Sequence, residues 1–248
     1  MDSGIRRFVS DLKGIIVNPI FIAGLHKSGT TLLRSLLDGH SKLSTVPFES
    51  HYFQLKGLWV DNEYQFQKPE RVERLREKMI KFVEEVAVTS SVYADNFASE
   101  QIDTELFKEA LPKEPNQADY LKALCSATGQ DPELRIVEKS IENFEFAGEI
   151  FKEFPNAKII HIIRNPYENL VSLRKFKSLG FGYPLLPRLI RTLYNHYYFL
   201  LKNIELYPKQ YLVIRYDALT QNPKKEMTKV ANFLDLPYES SLSTPSIL

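Results

Sequence analysis

The sequence predicts an α/β fold in three layers, a central parallel sheet flanked by helices, with a helical insertion. Two observations carry that expectation. Apolar runs of four to six residues recur at 20 to 23, 43 to 46, 134 to 137, 158 to 163 and 211 to 214, and most lead through turn chemistry into a helical pattern. The 248 residues are 44% hydrophobic and 25% charged, enough apolar material for a substantial core and too much for a disordered chain. Residues 1–248 read as a single domain.

Taken in order, the first run, PIFI at 19 to 22, feeds AGLHKSGTTLL from Ala23 to Leu33. Leu32, Leu33, Leu36 and Leu37 then recur at helical spacing, so a glycine loop opens a helix of about three turns ending near Asp38-Gly39. The second run follows at 43 to 46. Residues 66 to 124 are charged and helical in pattern with no strand signal, and form the expected insertion or lid. IIHIIR runs into Asn165-Pro166 and YLVIRYDALTQ into Asn222-Pro223. Asn suits an N-cap and Pro the first helical position, so both junctions read as strand, short link, helix. Between them, residues 187 to 206 form a long amphipathic helix.

Charge narrows the function classes. Thirty-two basic against 31 acidic side chains leave a formal charge of +1, which gives no global signal for nucleic acid or an anionic membrane. An anion site must therefore be local, and no nucleic-acid partner is expected. Cys125 is the only cysteine, which excludes an intrachain disulfide and a cysteine-rich zinc site. His26, His40, His51, His161 and His196 lack metal-ligand spacing, so no metal is expected. Asp11, Lys13 and Asn18 interrupt the N-terminal apolar patch before it reaches the length of a signal sequence or membrane span. The expectation is a cytoplasmic protein with no transmembrane segment.

The loop carries the chemistry. Gly24 to Thr31 has the glycine spacing of GxxxxGK[ST], but Thr30 stands at the lysine position and Lys27 lies two places before Gly29. A strand, a glycine turn and a helix start still aim backbone N–H groups and the positive end of the helix dipole at an anion. Lys27 adds a charge, and Ser28, Thr30 and Thr31 add hydroxyl donors. The arrangement for a triphosphate with magnesium is weakened, since the lysine is displaced and no acidic strand end resembles a Walker B motif. The plain alternative is a structural turn carrying a surface lysine.

KSGTT behind an apolar strand resembles the 5'-phosphosulfate loop of sulfotransferases that use 3'-phosphoadenosine 5'-phosphosulfate (PAPS). That family's second signature is a strand-end Arg followed eight residues later by a helical Ser, and KIIHIIRNPYENLVSLRKF supplies Arg164 and Ser172. An Arg at a strand end offers a forked donor to a phosphate. An ordinary surface ion pair of Arg164 with Glu168 is the alternative. YLVIRYDALTQNPKKEMTKVANFLDLP is similar to the family's late strand-helix segment, which would set Tyr216 at the adenine and leave Asp217 to orient the turn. The resemblance implies a P-loop NTPase-like sulfotransferase fold, nearer the glycan, protein-tyrosine and bacterial members than the cytosolic small-molecule ones. It also implies PAPS as donor, its desulfated product PAP, and no metal. Lys27, Ser28, Gly29, Thr30, Thr31, Arg164, Ser172 and Tyr216 would hold the donor.

For the acceptor proton, LSTVPFESHYF resembles the segment after the second strand in which glycan and protein-tyrosine members carry a Glu base, which implies Glu49 in that role; His51 is the competing base. RIVEKSIENF resembles the family's VEKTP-type strand end, giving Lys139 as a second cation beside Lys27, with Ile141 in place of the usual Pro. Lys139 could instead simply pair with Glu138 or Glu142. The expected reaction is in-line transfer to an acceptor hydroxyl or amine, the acceptor being a glycan, lipid, peptide tyrosine or small molecule. The insertion would shape its pocket. A P-loop kinase or NTPase, and a nucleotide-binding scaffold without activity, are the rival readings.

Overall fold

The computed structural model describes residues 18–57, 75–88, 102–175, 177–178, 181–182 and 186–245. The elements follow the chain as β1 (Ile20–Gly24), α1 (Thr30–Leu37), β2 (Leu43–Thr45), α2 (Tyr52–Leu55), α3 (Leu75–Val88), α4 (Thr104–Ala110) and α5 (Gln117–Ala127). Then come β3 (Arg135–Lys139), a 3-10 turn (Ile141–Phe144), α6 (Ala147–Glu153), β4 (Lys158–Ile163) and α7 (Pro166–Lys175). A short ribbon, β5 (Lys177–Ser178) with β6 (Phe181–Gly182), leads to α8 (Leu186–Leu206), β7 (Tyr211–Arg215), α9 (Tyr216–Gln221), α10 (Pro223–Phe233) and a last 3-10 turn (Ser240–Ser243).

Five strands form one parallel sheet in the order β2-β3-β1-β4-β7. Alternate strand residues point to opposite faces, and the burial follows that period. Phe21, Ala23, Ile136 and Ile159 join one apolar core with Phe82 and Val83 of α3, Leu121 and Leu124 of α5, and Ile150 of α6. Ile20, Ile22, Val137, Ile160 and Ile162 join a second core with Leu33, Leu36 and Leu37 of α1 and Met227 and Val230 of α10. Helices therefore cover both faces, which is why these strands read as continuous apolar runs.

The five expected strands are all present. β3 differs in extent, because it runs on through Glu138 and Lys139, two charged residues that are almost wholly buried. α1 is shorter than expected, eight residues or little over two turns, because Gly29 at φ 106 holds the loop out of the helix and Asp38 is already extended. Asn222 caps α10 through Lys225 N, with Pro223 in its first turn, and Asn165 accepts from Tyr167 N at the head of α7. The expected link after β7 is itself the short helix α9. The β5/β6 ribbon has no counterpart in the expected elements. Of the expected insertion, 66–74 and 89–101 lie outside the described residues; the remainder is mostly helical, in α3, α4 and α5. No helix among the described residues is long and apolar enough to cross a membrane.

Candidate active site

In an open parallel sheet, ligands gather at the carboxyl ends of the strands where the strand order reverses. β1 is that strand here, with β3 on one side and β4 on the other. The sequence puts a candidate group beyond the carboxyl end of every strand: the 25–29 loop after β1, Glu49 after β2, Lys139 ending β3, Arg164 after β4 and Tyr216 after β7.

The loop is tightly wound. Gly24 (φ 155) leaves no room for a Cβ, which would lie 2.7 Å from the Ile162 carbonyl oxygen and 2.8 Å from Ser28 Oγ. Lys27 adopts a left-handed φ of 61, uncommon outside glycine, and Ser28 N donates to Leu25 O at 3.1 Å. Gly29 precedes α1, and a Cβ there would sit 2.3 Å from the Tyr216 ring. Thr30 and Thr31 open the helix. Ser28 Oγ is buried with no hydrogen-bond partner among the described residues. An orphaned buried hydroxyl in a loop at a helix N-terminus fits an anion better than a plain turn.

β4 and α7 clamp this loop. Arg164 donates to the Lys27 carbonyl at 3.3 Å and to Ser172 Oγ at 3.4 Å, and its guanidinium lies 4.8 Å from the centre of the Tyr216 ring. It also pairs with Glu168 at 3.2 Å, so the expected surface ion pair and the Arg164–Ser172 pairing coexist. Asn169, which sequence reasoning passed over, donates to the His26 carbonyl at 2.9 Å. Arg164, Ser172, Tyr216, Lys27 and Gly29 thus meet in one place. Asp217 forms a local ion pair with Arg215.

A second group lies around Glu49. Lys139 Nζ is 2.9 Å from Glu49 Oε1, and His51 Nε2 is 3.5 Å from Glu49 Oε2. Both candidate bases and the candidate cation are therefore together, with Glu49 a partner of Lys139. Burial pushes the Glu49 carboxyl up, but the Lys139 ammonium, helped by His51 and His26, outweighs it and holds the group at about 2. Burial also lowers the neighbouring His26 imidazole to about 4, so that side chain is neutral near pH 7.

Glu138 does structural work beside this group. It is fully buried, and its carboxylate accepts from Ser50 Oγ at 2.8 Å, Ser50 N at 3.3 Å, Ser140 Oγ, and Asn143 Nδ2 at 2.7 Å. Ser140 Oγ accepts from His51 N at 3.3 Å, and Tyr120 donates to the Ser50 carbonyl at 2.9 Å. The segment carrying Glu49 and His51 is thereby fastened to the end of β3. Sequence spacing gave no hint of this, because the partners are some ninety residues apart.

Glu142, in the 3-10 turn after β3, also enters the site. Burial, then the charge of Glu49, raises its carboxyl to about 8. One atom each from Glu49, His51 and Glu142 lies within 4.8 Å of the other two, a set able to approach a cation although the histidine spacing alone did not suggest one. The Lys139 ammonium already supplies positive charge at Glu49.

The chain is similar to known proteins. A protein-tyrosine sulfotransferase of Drosophila melanogaster is 24% identical over 239 residues, covering 90% of this chain and 39% of that protein. An uncharacterized protein of Aquifex aeolicus is 27% identical over 233 residues, covering 89% of this chain and 26% of its own length. The chain thus spans well under half of these curated relatives. Among solved structures, the sulfotransferase domain from the curacin biosynthetic pathway superposes with a TM-score of 0.56 at 25% identity, over 91% of this chain and 76% of that one. The sulfotransferase domain from the Synechococcus PCC 7002 olefin synthase has the same fold, with a TM-score of 0.52 at 22% identity over 90% and 75% of the two chains. The family model described as "Sulfotransferase family" matches residues 19–240, and the chain belongs to that family.

Proposed function

We propose that this protein transfers a sulfuryl group from PAPS to an acceptor hydroxyl, with Glu49 taking the acceptor proton. The observation that carries the reading is the junction of Arg164, Ser172 and Tyr216 with the Lys27–Gly29 loop. It offers a forked cation, a hydroxyl and an aromatic face beside a loop of backbone donors, a combination suited to a nucleotide phosphorylated at two positions.

In this mechanism Lys27, Ser28 and the N–H groups opening α1 hold the 5'-phosphosulfate, and Arg164 with Ser172 holds the 3'-phosphate. Tyr216 borders the base. Lys139 and Lys27 stabilise the charge that develops on the bridging oxygen as its bond to sulfur breaks. As Lys139 turns towards that oxygen it loosens from Glu49, whose basicity rises while the acceptor hydroxyl gives up its proton. α3 to α5, in the 66–124 region, would line the acceptor side, since His51 stands edge-on to Phe82 of α3 with ring centres 5.6 Å apart.

A thermal-shift comparison tests the donor assignment. PAP without magnesium should stabilise the protein more than adenosine 5'-phosphate does, and Arg164→Ala should erase that difference. Stabilisation only by ATP with magnesium would favour a P-loop kinase and overturn the reading.

A further inference from the structure

Glu142 has no assigned part in this mechanism, yet its Oε2 is buried with no hydrogen-bond partner among the described residues, and the amide Nε2 of the nearby Gln54 is unpartnered as well. A sequestered carboxyl oxygen without a partner marks a place where a ligand's polar atom belongs. One carboxylate oxygen of Glu142 lies within 4.8 Å of one of Glu49. Two hydrogen bonds of about 2.7 Å that meet at one oxygen at roughly 120° span about that distance.

We propose that Glu142 is an acceptor-binding residue: as a neutral carboxylic acid it donates a hydrogen bond to the acceptor oxygen, which in turn donates to Glu49, and this pair selects hydroxyl over amine acceptors. The proposal rests on the sulfuryl transfer described above. A hydroxyl oxygen has one hydrogen and two lone pairs. Its hydrogen goes to Glu49, one lone pair accepts from Glu142 and the other attacks sulfur. A neutral amine has a single lone pair, which cannot both accept from Glu142 and attack. In the step itself, the acceptor oxygen–sulfur bond forms as the bond from sulfur to the bridging phosphate oxygen breaks. The acceptor proton passes to Glu49, PAP leaves with the electron pair, and Glu142 keeps its proton.

The groups facing Glu142 are consistent with a neutral acid. Glu49 and Glu138 disfavour a second negative charge, while the backbone N–H of Glu142 and then the Gln54 side chain, from α2, oppose them. His51 belongs to the same cluster, and Lys139 pairs with Glu49.

The test measures PAP release from PAPS with cyclohexanol, cyclohexylamine and water alone as acceptors, between pH 6 and 9.5, for the wild type, Glu142→Gln, Glu142→Ala and Glu49→Gln. Wild-type release to cyclohexanol or water should fall about ten-fold per pH unit above pH 8, where Glu142 ionises. Glu142→Gln, whose amide can donate but not ionise, should lose that fall and lie between wild type and alanine in rate. Glu142→Ala should reduce kcat/KM for cyclohexanol by about ten- to a hundred-fold below pH 8 and narrow the preference over cyclohexylamine. An alkaline limb that persists in Glu142→Gln, or an alcohol-to-amine ratio unmoved in Glu142→Ala, overturns the assignment. Carbon-13 NMR of labelled glutamate gives a reading that does not need turnover: one carboxyl should titrate near pH 8 in the wild type and be missing in Glu142→Gln. Absence of that signal sinks the proposal whatever the activity. Its presence with no PAP release from any acceptor leaves the neutral acid standing and counts against the transferase reading itself.

Discussion

Replacing Lys139 with methionine should reverse the sign of the pH dependence that Glu49 contributes to folding. In the native protein Glu49 lies well below the usual carboxyl value of 4.5, at about 2, because an ammonium only 2.9 Å away outweighs the effect of burial. At about 1.4 kcal/mol per pH unit, that displacement corresponds to about 3 kcal/mol of stability. The group's folded value is depressed, so its contribution is complete above 4.5 and is lost as pH falls through about 2. Methionine keeps the length of the side chain and removes its charge. Burial then dominates at Glu49, the folded value rises above 4.5, and the carboxylate destabilises the protein near neutrality until acid protonates it. Urea unfolding at pH 7 should place Lys139→Met about 3 to 5 kcal/mol below the wild type, the range for stranding one member of a buried pair. At pH 4 the gap should narrow by about 2 kcal/mol. A gap equal at the two pH values would refute the electrostatic account and leave only lost packing.

Three further expectations concern other parts of the fold. Gly29→Ala forces a Cβ against the Tyr216 ring at a φ of 106, and should lower stability by about 1 to 3 kcal/mol while weakening PAP binding in a titration. His196 is buried, with Nδ1 unpartnered among the described residues, and burial lowers it from 6.5 to about 4. Stability should therefore decline as pH falls from 6.5 towards 4, with about 3 kcal/mol of that decline traceable to this ring; His196→Phe should remove that share in acid unfolding curves. Glu138→Gln exchanges an acceptor for a group that turns an N–H towards the donors of Ser50, Ser140 and Asn143. It should reduce stability by about 2 to 4 kcal/mol and slow turnover more than it weakens PAP binding; an unchanged unfolding midpoint would contradict the fastening role.

Particular residues explain what could be read from the chain. The strands were legible because both sheet faces are covered, so Ile20–Ala23 and Ile159–Ile160 leave no polar gap in the run. Arg164 and Ser172 were legible because both sit on one strand-helix unit, at a fixed separation. The end of β3 was legible only through the resemblance of RIVEKSIENF to a VEKTP-type strand end, because hydropathy stops at Val137 while the strand carries Glu138 and Lys139 inward, where their partners wait. Ser50 and Glu49, two of those partners, come from the chain after β2, brought alongside by the parallel β2/β3 pairing. His26 and Glu142 were missed for a related reason: each looks like an ordinary surface residue until burial and the charge of Glu49 act on it.

The sheet also divides the protein into two compartments of influence. Tyr216 and Leu32, on the side of the proposed donor site, pack against the core that contains Leu33 and Met227, whereas Phe82 and Tyr120, which touch His51 and Ser50, belong to the core on the opposite face. For anyone re-engineering the protein, these are separate dials. Libraries built around Met227 and Leu33 should chiefly retune the grip on the donor, and libraries around Phe82 and Tyr120 the choice of what receives the group.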